Sequence, residues 1–499
     1  MPIPFWHRRG PNRRVYRCLD WSLDAPLFNW SKRSAWTLGH SVQGTLILGE
    51  TGGGKSSGSG KELSLSMLRS GFGGLVLCAK PDEAQVWIDR AKKAGRGSDL
   101  IVVGPGNPWR FNPFTHEARR RGPGAGHVET LVALFSSLLE LTQKNSGAGS
   151  SGREGEQYWL RACLQLVRNF LTLLVLSGDP VTVDALYRAI VSAPTSIDQS
   201  CSSAWKASSF CHRLLTQADG RPKNDRERRD FGLTADFIML ELPALSDRTR
   251  SVIVSMFTSL IDCLNRGELH ALFGTDSTFT PESSQFGRIV VCDLSVKEHG
   301  VTGLLANVLL KHVWQLAMER RDLTQNPRPV FLWMDEAQHF LTSTDQLFLT
   351  TARSSRVATV LLTQNLPTLY AAFGAGEKGK AEVDSLLGNC CTKLLHSNTC
   401  PVTNEWGSSI IGKTDYLHAS GSSSGTQDWA ATALGLGSDS TATAGFSESL
   451  EWELQPNVFP CLRCGGERNR FLVDAILIQS GKVFPDTDKI WRMVTFSQR

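Results

Sequence analysis

Residues 49–56 read Gly-Glu-Thr-Gly-Gly-Gly-Lys-Ser, a complete phosphate-binding loop, and the sequence on either side supplies the context such a loop needs. Before it, Thr45-Leu-Ile-Leu48 is a short apolar, β-prone run. After it, small residues lead into Leu63, Leu65 and Met67, a pattern that predicts a helix start. Gly52, Gly53 and Gly54 let backbone N–H groups turn toward a polyphosphate, and a helix N-terminus adds a favourable dipole. Lys55 then reaches the β- and γ-phosphates, and the Ser56 hydroxyl takes a Mg²⁺ position. Gly49, Glu50, Thr51, Gly52, Gly53, Gly54, Lys55 and Ser56 are thus the expected cradle for ATP, with Mg²⁺ as its companion ion. A glycine-rich linker would match the motif by chance, but would not explain the strand and helix beside it.

A second formal match, Gly407-Ser-Ser-Ile-Ile-Gly-Lys-Thr414, lacks that context. Asn404-Glu-Trp406 reads as helix rather than strand. Ile410 and Ile411 place bulky β-branched side chains where a phosphate needs room. Gly412 is better explained as a helix C-cap.

At 499 residues the chain exceeds what one core usually supports, so two or three folding units are expected. Hydrophobic content of 41% and charged content of 20% are ordinary for a globular cytoplasmic protein. The balance of 53 Lys+Arg against 48 Asp+Glu permits a nucleic-acid partner without demanding one. Local basic clusters occur at Arg8, Arg9, Arg13, Arg14 and Arg17, at Arg119-Arg120-Arg121, and between Arg221 and Arg229; each also reads as a solvated surface. No apolar stretch follows the basic start as a signal peptide would require. The longest apolar segment, Tyr158 to Val175, is interrupted by Arg161 and Arg168, so no transmembrane span is expected. Twelve cysteines are scattered, mostly in apolar surroundings, as reduced core residues are. Cys461 and Cys464 form a lone CxxC and read as structural.

Short apolar strands alternate with helical stretches: Leu75–Cys78 and Leu100–Val103 flank a helix over 82–94. From about Gly126 to Gly274 the apolar spacing becomes purely helical. Strands resume at Ile289–Cys292 and Val330–Met334, then at Ala358–Thr363, Thr392–Leu395 and Phe471–Ile478. The expected organisation is an N-terminal segment (1–40), a first part of a nucleotide-binding domain (41–125), an inserted all-α domain (126–280) and a second part (281–499). A Ser/Gly-rich stretch at 420–449 reads as a flexible loop. The fold class is α/β: a mostly parallel twisted sheet with helices on both faces.

Asp335-Glu336 ends the apolar strand Val330–Met334, which delivers one carboxylate to a metal and a second to water. Asp335 is the expected Mg²⁺ partner and Glu336 the residue that orients or deprotonates the attacking water. The pair also suits a helix N-cap, but an earlier phosphate loop in the same chain favours catalysis. A glutamate there points to ATP hydrolysis rather than to a nucleotide kinase. Downstream, Thr351-Ala-Arg353-Ser-Ser-Arg356 precedes another apolar strand ending in Thr363-Gln364-Asn365. Gln364 at that tip can sense the γ-phosphate or cap the next helix. Arg353, or else Arg356, can act as a finger into a neighbouring subunit's site.

These segments, taken in order, resemble the conjugative coupling proteins of type IV secretion, the TraD/TraG group, within the HerA/FtsK class of RecA-like DNA-pumping ATPases. The resemblance rests on Gly49–Ser56, Asn112-Pro-Phe114, Phe331–His339, Ala352–Val357, Leu362–Asn365 and Asn398–Trp406 running into Ile411–Thr414. It implies a RecA-like P-loop NTPase core with an inserted all-α domain, a homo-hexameric ring, and ATP-driven movement of single-stranded DNA or nucleoprotein. By motif it gives Lys55, Ser56, Asp335 and Glu336 the phosphate, magnesium and water roles, Arg353 the finger and Gln364 the sensor. Membrane-bound relatives begin with transmembrane helices, whereas here the phosphate loop follows a short stretch. The chain is therefore expected either to be recruited by a membrane partner or to work as a cytoplasmic translocase. The alternative function is a nucleotide-dependent adaptor ring that recruits a relaxase or nuclease without processive movement.

Overall fold

The computed structural model describes residues 21–122, 127–145, 153–374, 376–425 and 440–499. Its centre is a nine-stranded sheet. The strands in chain order are β1 (Pro26–Ser31), β2 (Ser34–Thr37), β3 (Thr45–Leu48), β4 (Gly73–Leu77), β5 (Leu100–Val103), β6 (Ile289–Cys292), β7 (Val330–Met334), β8 (Val357–Thr363), β9 (Thr392–Leu395), β10 (Lys413–Gly425), β11 (Ser440–Trp452), β12 (Leu472–Gln479) and β13 (Trp491–Ser497). The sheet order is β13-β12-β9-β3-β8-β7-β4-β6-β5. From β9 to β5 all neighbours are parallel, while β12 and β13 add an antiparallel margin.

Alternation along the strands explains why the sheet is covered twice. Leu46, Leu48, Leu75, Leu77, Leu332 and Met334 point into one core. Ile47, Val76, Phe331, Trp333, Val360 and Leu362 point into the other. Strands buried on both faces are what parallel crossover topology produces, and they read as unbroken apolar runs. The expected mostly parallel α/β sheet is therefore the one observed.

Between β5 and β6 the described residues form no strand. Helices Val128–Asn145, Arg153–Ser177, Phe210–Gly220 and Asp247–Asp262 dominate this insertion. Its two ends are stitched together. The backbone of Phe111 donates to the Leu272 carbonyl at 2.8 Å and that of Thr278 to the Arg110 carbonyl at 2.8 Å. Asn112, whose side chain caps the helix Pro113–Arg119, also donates to the Thr275 carbonyl at 2.9 Å. Asn112-Pro113-Phe114 is thus the neck of the insertion. The segment Tyr158–Ser177 is long and apolar enough to cross a membrane, but Leu166, Val167, Phe170 and Leu174 on it are buried in the core shared with the sheet.

Composition misread one region. The stretch 420–449, expected as a flexible loop, lies within an antiparallel ribbon at both ends: β10 pairs with β11 in register from Lys413↔Trp452 to Gly425↔Ser440. Along it Phe446 stands opposite Ala419 and Leu450 opposite Asp415, and cross-strand pairing outweighs the turn preference of isolated Ser and Gly. Residues 426–439 lie outside the described residues, as does the basic cluster Arg8–Arg17. The N-terminal segment contributes the β1–β2 hairpin, whose Trp30 and Trp36 pack with Phe496 and Leu38.

Candidate nucleotide site

Parallel strands bring their C-terminal ends to one edge, and most of the expected residues gather there. The phosphate loop follows β3, Asp335-Glu336 follows β7 and Gln364 follows β8. Although β8 separates β3 from β7, the Ser56 hydroxyl donates to Asp335 Oδ2 at 2.7 Å. A hydroxyl and a carboxylate oxygen converging on one point form a donor set that suits Mg²⁺. Lys55 is 7% exposed and folds back, donating to the carbonyls of Gly49 at 2.7 Å and Glu50 at 3.1 Å. Burial lowers its pKa, and the charges of Glu336 and Asp335 only partly restore it.

Glu336 sits in the left-handed region at φ 52, an uncommon conformation for this residue type and one found at functional sites. Its two carboxylate oxygens have different partners. Oε1 faces the Lys80 ammonium at 3.1 Å, and Oε2 accepts from Gln338 Nε2 at 2.8 Å. Gln338 in turn accepts from the Thr363 hydroxyl at 2.9 Å, which links Glu336 to the tip of β8. Burial alone would raise the Glu336 pKa; Gln338 and Lys80 more than reverse that and hold it below the usual range. Glu83, buried beside Asp335, is pushed the other way, to about 8, and accepts from the backbone N–H groups of Ala79 and Lys80.

The other side of the loop is supported by residues far away in sequence. Glu50 accepts from the hydroxyls of Ser397 and Thr399, both at 3.2 Å. Asn398 donates to the Gln364 carbonyl at 2.8 Å, joining the tips of β8 and β9. His396 is fully buried. Its Nδ1 meets the Asp474 carbonyl at 2.9 Å and so carries the proton, leaving Nε2 to accept from the Ser59 hydroxyl at 2.7 Å. Burial depresses its pKa to about 4. Arg90 donates to the Ser56 carbonyl at 2.9 Å. Val473 of β12 fills the space next to Gly54, where φ is +85° and a Cβ would lie 2.5 Å from a Val473 methyl.

Two expected residues are not brought to this edge. Arg353 is exposed at the end of the helix Ser343–Ala352, before β8, whereas Gln364 lies after it and is half-buried. Seven strand residues separate the two ends, about 20 Å at the usual strand rise. Arg356, the other finger candidate, is committed elsewhere: its guanidinium donates to the carbonyls of Trp21 at 2.8 Å and Pro327 at 3.0 Å. In the second loop match, Gly412 ends the helix Pro401–Ile411 at φ 100, and Lys413 lies over the Trp452 ring. Sequence reasoning missed Lys80, Gln338, Thr363, Arg90 and His396. For Lys80 a signal existed, since it follows an apolar strand just as Asp335 does.

Residues 329–449 match the family described as the TraM recognition site of TraD and TraG. The bacterial conjugative coupling protein TrwBdeltaN70, in its unbound monoclinic form, superposes with a TM-score of 0.58 at 14% identity, covering 93% of this chain and 87% of its own. The resemblance to the TraD/TraG coupling proteins holds. The plasmid coupling protein TrwB in complex with the GTP analogue GDPNP gives 0.58 at 16% identity over 93% of this chain and 88% of that one. TrwB in complex with ADP and Mg²⁺ gives 0.57 at 15% over the same shares. At such identities the likeness establishes the RecA-like P-loop fold. No curated protein sequence matches the chain. The segment matched to TraD and TraG spans β7 with Asp335-Glu336, Arg353, β8 with Gln364, and the Asn398–Thr414 block.

Proposed function

We propose that this chain is a Mg²⁺-dependent ATPase of the conjugative coupling type, hydrolysing ATP in an oligomeric ring to move DNA or nucleoprotein toward a relaxosome-like partner. The observation that carries the proposal is the 2.7 Å contact between Ser56 and Asp335, with Glu336 next in the chain. It supports the reading by bringing a residue of the glycine-rich loop against the acids that follow β7. In this reading Gly49–Lys55 cradle the phosphates, Ser56 and Asp335 hold Mg²⁺, Glu336 orients water and Gln364 senses the terminal phosphate. Arg353 precedes β8, at the end of the strand opposite Gln364, so in this reading it serves a neighbouring chain, in a ring or at least a dimer. The match to the TraM recognition site supports a relaxosome protein as partner.

The second reading, an adaptor ring that binds ATP to recruit a relaxase or nuclease, has one observation on its side. Both carboxylate oxygens of Glu336 are engaged, by Lys80 and Gln338. ATPase rates with and without single-stranded DNA separate the two. The motor reading expects DNA-stimulated turnover that disappears in Lys55→Ala, whereas ATP binding with no turnover under either condition would favour the adaptor.

A further inference from the structure

The acids after β7 share a cation that no motif announces. Lys80, just beyond the end of β4, places Nζ 3.1 Å from Glu336 Oε1 and 3.6 Å from Asp335 Oδ2. Its side chain is 32% exposed, while those of the two acids are 9% and 8% exposed. Its backbone is fixed: Glu83 accepts from the N–H of Lys80, and Asn307 accepts from that of Cys78. The tip of β4 is therefore anchored, and the four-carbon stem of Lys80 is the part with freedom to swing.

We propose that Lys80 is a γ-phosphate sensor: without nucleotide it holds Glu336, and with ATP bound it moves to the terminal phosphate and frees Glu336 to orient water. This rests on the ATP–Mg²⁺ reading of the site. The argument is one of charge. In the chain as described, Asp335 and Glu336 are balanced by Lys80 and Lys55, with Glu83 neutral beside them and His339 exposed nearby. Asp335 is tied to Ser56, so Lys80 stands at the end of the site where Mg²⁺ and the terminal phosphate belong. A divalent cation held by Ser56 and Asp335 disfavours an ammonium close to Asp335. The phosphate offers that ammonium several anionic oxygens in place of one carboxylate, and charge-assisted contacts of this kind are the strong ones. Glu336 meanwhile is a poor water-directing group while both its oxygens are occupied. ADP with Mg²⁺ brings the same cation but lacks the γ-phosphate, so it offers Lys80 no anionic oxygens to move to.

The test compares affinities for a non-hydrolysable ATP analogue and for ADP, both with Mg²⁺, by calorimetry on the full chain. Wild type, Lys80→Gln, Lys80→Arg and Lys55→Ala are used, with thermal melts to verify folding. Lys80→Gln is expected to weaken the ATP analogue about tenfold while leaving ADP within about twofold, and Lys80→Arg to restore most of the preference because it keeps the charge. Equal loss for both nucleotides, loss for neither, or a failure of Lys80→Arg to differ from Lys80→Gln overturns the sensor role. Nucleotide binding that survives in Lys55→Ala overturns the underlying site instead, so the two failures are distinguishable.

Discussion

Replacing Gly54 by alanine tests whether the C-terminal strands are part of the nucleotide site. Gly54 has φ +85°, and an added Cβ would lie 2.5 Å and 2.7 Å from the two Val473 methyls. Left-handed backbone costs a side-chain-bearing residue about 1–2 kcal/mol, and an overpacked methyl in a buried setting about 1–3 kcal/mol. Together they come to about 2–5 kcal/mol, applied to a loop whose N–H directions decide phosphate binding. Val473 is fully buried within β12 and does not yield easily. Most of the strain is therefore expected to move the loop, weakening nucleotide by roughly two to three orders of magnitude. Calorimetric titration with ADP and Mg²⁺, alongside thermal melts, reads both effects. Val473→Ala removes the clashing methyls but not the left-handed φ, so the double variant should recover part of the loss. Affinity in Gly54→Ala within threefold of wild type, or no coupling between the two substitutions, would refute the reasoning.

Other outcomes follow from the same geometry. Glu336→Gln should bind ATP normally yet lose turnover, because its carboxylate acts on water rather than on the ground-state nucleotide; rapid hydrolysis in that variant would remove its assigned role. Arg353→Ala should also bind ATP but hydrolyse it poorly, and mixing it with Lys55→Ala chains in the presence of DNA should restore some activity. Co-assembled mixtures that stay inactive would count against a finger acting between chains. Lys413→Ala should leave nucleotide binding unchanged, as measured by the same titration. His396 has its pKa lowered from 6.5 to about 4 by burial, so the folded state binds fewer protons than the unfolded one. Stability conferred by the neutral ring is complete above pH 6.5 and is lost as pH falls toward 4, by about 3 kcal/mol. Denaturant midpoints at pH 7 and pH 4.5 check it, and a flat profile would contradict the buried neutral ring.

What the sequence made legible is what depends on local pattern. Each parallel strand is an apolar run because both its faces are buried, and so β3 to β9 could be read directly. The phosphate loop and Asp335-Glu336 were legible because their chemistry needs residues adjacent in the chain. Support from across the sheet was not. Lys80, Thr363 and His396 meet the site only because strand order brings β4, β8 and β9 alongside β3 and β7, and no spacing in the sequence encodes that order. The strand β13 and the ribbon of β10 and β11 escaped for a related reason. Their stability lies in cross-strand partners, and a composition rich in serine and glycine says nothing about which residues face one another.

The placement of Arg353 and Gln364 at opposite ends of β8 has a mechanical consequence. Every residue of β8 is buried, and the strand is hydrogen-bonded to β3 on one side and β7 on the other. Such a strand neither stretches nor bends appreciably, so it behaves as a pushrod. In a ring, its tip would rest in the chain's own pocket and its foot in the next one. A displacement of the tip when the terminal phosphate departs would then arrive at the foot undiminished, across about 20 Å, with no hinge between. Firing order around the ring would be set by the stiffness of a single strand rather than by the slower rearrangement of a whole domain.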